Sequence, residues 1–216
     1  MVVRPQHLPR DLGTPRARML RVAGRAEEVL VWATRAFIQQ DMHLADRTIS
    51  MADAVATEAA SVDAACTRAI RQWEHGGPAL HGLSLLQRIG PHLERVSHLA
   101  GLISARVREA GWDPASEPGE DVESLASTVS DHFTDAVDAF VHDDAQAAQT
   151  VLREGRALEH RCNALWRDRV ADMTVDPRAM HSASRFQMLM VLRDLDHVIA
   201  HSSGIAQNVV RSSIIP

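Results

Sequence analysis

Residues 86–107, LQRIGPHLERVSHLAGLISARV, and residues 188–209, MLMVLRDLDHVIAHSSGIAQNV, decide the fold. In the first stretch Leu86, Ile89, Leu93, Val96, Ala100, Ile103 and Val107 step by alternating threes and fours. That spacing places them on one face of a long helix with a bundle-type seam. In the second stretch Met188, Val191, Leu195, Val198, Ser202, Ile205 and Val209 hold the same phase, 102 residues further on (188 less 86). Glu94 and Asp196 each follow the matched leucine at that same shift. The same 102-residue shift lays Asp41-x-x-x-Ala45-x-x-x-Ile49 over Asp143-x-x-x-Ala147-x-x-x-Val151. An acid near a helix start accepts bonds from free amides and complements the dipole. Two separate helices sharing one shift mark an internal duplication.

Each copy reads as three helices, so the expected fold is all-α, two tandem three-helix bundles. The first repeat covers residues 15–110, a linker rich in Pro, Gly and acids covers 111–121, and the second repeat covers 122–211. Residues 1–14 are expected to be a disordered tail. Helix one is expected from about 15 to 40, helix two from Asp41 to about Trp73, and helix three from about Leu80 to Ala110. Helices four to six are expected at about 122–141, 143–172 and 178–211, with Asp176-Pro177 opening the last. Pro91 inside helix three should kink it or reset its start.

Composition agrees with a helical chain. Of 216 residues 45% are hydrophobic and only 4% aromatic, with no tyrosine, which disfavours strands. No lysine occurs, so all 23 basic residues are arginine, scattered among acids at a net charge of -5. Without a clustered basic stripe, nucleic acid is not an expected ligand. No apolar run reaches the roughly 18 residues that span a bilayer, and the first residues lack the apolar core of a signal peptide. Cys66 and Cys162 are far apart in sequence and read as reduced core-filling residues, so a cytoplasmic location is expected.

The third helix of each repeat resembles the PhoU family of phosphate-uptake regulators, whose motif there is of the type Leu-Glu-Arg-Ile-Gly-Asp. Leu93, Glu94, Arg95 and Val96 match its start, with His98 in the place of the final aspartate. In the second copy Arg193, Leu195, Asp196, Val198, His201, Ile205 and Ala206 agree, while His197, Ala200 and Gln207 depart. The resemblance implies a cytoplasmic regulator of phosphate uptake and phosphate-responsive signalling that acts by binding proteins. The implied partners are components of the phosphate ABC transporter and a sensor histidine kinase. A homodimer is also expected.

The family motif supplies carboxylates to a metal cluster, so a divalent or transition metal (Mg, Zn, Fe or Mn) is the implied cofactor. The candidate ligands are Glu94, His98, Asp196, His197 and His201. An acid or histidine four residues from another shares its helical face, and histidine shifts preference from hard cations toward zinc, iron or manganese. The missing partner at Ala200 instead points to a worn cluster. Two alternatives stand beside the regulator: a metal-binding helical bundle or enzyme, and a helical scaffold unrelated to phosphate. No Glu-x-x-His occurs in the chain, which argues against a ferritin-like di-metal enzyme. The chain is therefore not expected to be an enzyme.

Overall fold

The computed structural model describes residues 10–72, 78–109, 118–175 and 182–214. Six helices account for nearly all of them: α1 (Arg10–Gln39), α2 (Met42–Gln72), α3 (Pro78–Glu109), α4 (Glu120–Val141), α5 (Ala145–Val175) and α6 (Ala183–Ile214). No strand occurs among the described residues. Helices α1, α2 and α3 pack on one another, as do α4, α5 and α6. The two bundles meet along α3 against α6 and α1 against α4. All seven residues of each quoted seam are buried, so the expected helical faces are the core faces.

The boundaries differ from expectation in three places. Helix α1 starts at Arg10, so residues 10–14 belong to it and not to a tail. Helix α3 runs unbroken through Pro91, which is exposed and does not reset its start. Helix α6 starts at Ala183, where the Ser182 hydroxyl accepts a bond from the Arg185 amide at 3.4 Å. The expected Asp176-Pro177 start lies outside the described residues.

The duplication is real, but its register slips by one residue. The seam residues of α3 and α6 correspond at 102. In α2 the buried positions Ala45, Thr48, Ala52, Val55 and Ala59 correspond to Ala148, Val151, Gly155, Leu158 and Cys162, a shift of 103 (148 less 45). Helices α1 and α4 follow the same shift, Leu30 over Phe133 and Phe37 over Phe140. The two helix turns confirm it. Gln40 (φ 55°) and Asp143 (φ 52°) are the left-handed residues closing α1 and α4. The next residue's amide donates back to Ala36 in one turn (3.0 Å) and to Ala139 in the other (2.9 Å). Asp41 Oδ1 then caps α2 through the Leu44 amide, and Asp144 Oδ1 caps α5 through the Gln146 and Ala147 amides. The partner of Asp41 is thus Asp144, not Asp143, whose side chain pairs with Arg16 at 2.9 Å.

Candidate functional site

The seam between the halves is built by antiparallel helices. His81 Nε2 lies 3.2 Å from the Ser212 carbonyl, His92 Nδ1 lies 3.1 Å from His201 Nδ1, and Arg106 Nε donates to Asp194 Oδ2 at 2.7 Å. Residue numbers rise along α3 as they fall along α6, so chemistry from the two repeats converges near the middle of both helices. The Arg106–Asp194 pair is nearly enclosed, the aspartate side chain being 7% exposed. Gln187 accepts a second, longer bond from Arg106 at 3.4 Å.

The five motif residues do not gather into one place. Glu94 and His98 are exposed on α3, while Asp196, His197 and His201 are half-buried on α6. Asp196 lies beside Cys162 of α5, and its Oδ1 is enclosed without a hydrogen-bond partner. Burial raises its carboxyl above the usual range, and the charge of His197 opposes that rise. Cys162 donates its thiol proton to the Leu192 carbonyl at 3.1 Å, and burial together with Asp196 pushes its pKa up to about 12. It is a packing residue, as is the buried Cys66. Among the described residues no three His, Cys, Asp or Glu side chains come together to hold a metal ion. The donor set therefore does not fit the carboxylate cluster that the motif implies.

What the fold does bring together is a basic group that the spacing alone did not reveal. His201 faces His92, with Arg95 and His197 near enough to act on its charge. Burial first, then those three neighbours, holds the His201 imidazole down at about 4. Burial also lowers His92. The two rings meet edge to face, centroids 5.3 Å apart at 62°. His92 carries no periodic signal of its own, because its partner is 109 residues away and is set by the antiparallel crossing.

Acids dominate elsewhere. A cleft of 390 Å³ between α4 and α5 is lined by Asp135, Asp138, His142, Asp144 and Glu154, among others. Burial and then the charges of Glu154, Asp131 and Asp138 raise the Asp135 carboxyl. Across the α1–α4 contact, burial and Asp138 raise Glu27 to about 7, against a bond from Thr134.

Residues 122–209, the second bundle, match the family model described as the PhoU domain. The chain is 24% identical over 206 residues to the phosphate-specific transport system accessory protein PhoU homolog of Pseudomonas aeruginosa, covering 95% of this chain and 84% of that one. The second bundle is thus a PhoU domain, and the whole chain is similar to PhoU proteins. The PhoU of Escherichia coli K12, also a phosphate-specific transport system accessory protein, is 24% identical over 172 residues, covering 80% of this chain and 71% of its own. The crystal structure of PhoU from Pseudomonas aeruginosa superposes with a TM-score of 0.87 at 24% identity, over 94% of this chain and 97% of that one. The phosphate transport system regulatory protein PhoU from Streptococcus pneumoniae gives 0.83 at 16% identity, over 94% of each chain. These structural likenesses establish the PhoU fold for both halves.

Proposed function

We propose that this chain regulates phosphate uptake and phosphate-responsive signalling by binding other proteins, and is not an enzyme. The observation that carries this reading is similarity over 95% of the chain to a phosphate-specific transport system accessory protein. A helical tandem with long exposed faces suits docking. Among the described residues no helix is long and apolar enough to cross a membrane. A cytoplasmic protein that meets a transporter from the cytoplasmic side accords with that. The partners are components of a phosphate ABC transporter and a phosphate-sensing histidine kinase.

Two measurements test the reading. Deleting the encoding gene is expected to change radiolabelled phosphate uptake and to uncouple phosphate-responsive transcription from external phosphate. The full-length chain is expected to co-purify with the transporter's ATPase subunit or the kinase. Unaltered uptake together with absence of both partners would sink the proposal and favour a scaffold unrelated to phosphate.

A further inference from the structure

Building on the regulatory role proposed above, on which this step rests, we propose that the groove between α1 and α4 docks a basic amphipathic helix of a partner protein. An apolar side chain of that helix fills the groove, and its cations lie over the acidic ridge of α4. The two groove helices run antiparallel, since Arg16 near the start of α1 reaches the Val141 carbonyl and Asp143 at the end of α4. Further along, Val31, Thr34, Arg35 and Ile38 of α1 meet Ser130 and Asp131 of α4 around a groove of 290 Å³. Val31 and Ile38 make one wall apolar, and Val31 is left 45% exposed.

Ser130 marks the groove independently. It is only 7% exposed, and its Oγ has no hydrogen-bond partner. The buried hydroxyls of Thr34, Thr48, Ser97 and Ser202 each donate to a carbonyl one turn back on their own helix. Ser130 makes no such bond and lines the groove instead. An enclosed hydroxyl without a partner is costly, and a polar atom of an incoming segment would satisfy it.

Charge selects the occupant. Helix α4 holds six acidic residues and neither lysine nor arginine. Asp131, Asp135 and Asp138 step by four and three along its exposed ridge. None of the three makes an ion pair among the described residues. Burial first, then the charges of Glu154, Asp131 and Asp138, raise the Asp135 carboxyl. Acids crowded in this way favour an incoming cation. Arg35, the cation that lines the groove, is turned to Gln39, with Nε donating to Oε1 at 3.2 Å. An apolar groove beside an unpaired acidic ridge fits a helix face that carries an apolar anchor flanked by arginine or lysine. Nucleic acid or an anionic membrane surface would be repelled by the same ridge.

The test measures binding of the full chain to the purified transporter ATPase subunit and to the purified kinase, separately, by biolayer interferometry at low and high salt. At least one of the two is expected to bind, with an affinity that falls as salt rises. Asp131→Arg with Asp135→Arg should weaken that binding about tenfold or more, and so should Val31→Glu alone. Ser130→Ala should weaken it by a smaller factor. Val31, Asp131 and Asp135 are exposed, so these variants keep the fold, which circular dichroism checks. Asp53→Arg with Asp168→Arg, exposed on α2 and α5, changes the net charge equally and should leave binding intact. Full affinity in any of the groove variants, an equal loss in the control, or indifference to salt overturns the groove and leaves the regulatory role standing. If neither protein binds the unaltered chain, both the role and the groove fall.

Discussion

His132 is the residue that most clearly works against the fold. It is 3% exposed on α4, and neither ring nitrogen has a hydrogen-bond partner. Its counterpart at the shift of 103 is Val29, an apolar residue fully buried in the first bundle. A buried polar group without a partner costs about 1–3 kcal/mol. His132→Val should therefore raise the unfolding free energy by about 1 kcal/mol in urea titrations, and a loss of similar size would show that the imidazole is satisfied by something other than protein. The titrating residues set two opposed pH trends. His92, His132 and His201 are all held below the ordinary value of 6.5, so the unfolded chain takes up protons first. Their contribution is present above 6.5 and is lost as pH falls toward the His201 value of about 4. Glu27 behaves oppositely, raised from 4.5 to about 7, so its contribution is full below 4.5 and disappears as pH rises through 7. Glu27→Gln should remove the decline in stability between those two values while leaving the acid limb unchanged. A variant whose stability still falls over that range would mean that the burial of Glu27 does not govern it.

At the level of the element, glycines separate cost from necessity. Gly24 in α1 has nothing within 4 Å of a built Cβ, so Gly24→Ala should stabilise by about 0.5–1 kcal/mol through helix propensity. Gly204→Ala should instead destabilise by about 1–3 kcal/mol, because the His92 ring must move. Thermal melts of the two variants should shift in opposite directions; a shift in the same direction would mean that Gly204 does not make room for the His92 ring. The turn after α1 supplies a third case, since Gln40 sits at φ 55° without being glycine. Gln40→Gly should stabilise that turn by several tenths of a kcal/mol. These elements also show what the sequence could disclose. The α3 and α6 seams were readable because seven residues spaced by alternating threes and fours, all but Ser202 apolar, admit one phase. The slip to 103 in the first two helices was not, since Asp143-Asp144 and Ala147-Ala148 offer an acid and an alanine in either register. Burial and the two capping turns distinguish them, with Ala148 enclosed and Ala147 half-exposed and Asp144, not Asp143, capping its helix. The candidate site was hidden for a related reason: spacing located His201, but His92 meets it only through the crossing of α3 and α6.

Across the whole molecule, the question is whether two similar bundles behave as one body. Apolar residues on α3 and α6 are buried on both sides of the seam, and Arg106–Asp194 fastens one end of it. Arg16 fastens the α1–α4 contact by reaching Asp143 and lying over the Phe140 ring, 6.0 Å from its centroid. Asp143 is exposed and Arg16 only half-buried, so that pair contributes little. The Arg106–Asp194 pair is different, because removing one partner strands the other in a nearly closed site. Arg106→Met should cost about 2 kcal/mol, less than a fully enclosed pair because the arginine side chain keeps 20% exposure. Replacing both, Arg106→Met with Asp194→Leu, should recover most of that loss, since apolar residues of similar size often substitute for a buried pair. Differential scanning calorimetry should show one transition for the unaltered chain and for the double variant, with a lower midpoint for Arg106→Met. Two separate transitions in the unaltered chain would mean that the seam is too weak to couple the bundles. The double variant settles the remaining point: if it is no more stable than Arg106→Met, the loss comes from the packing of the arginine stem and not from the stranded carboxylate.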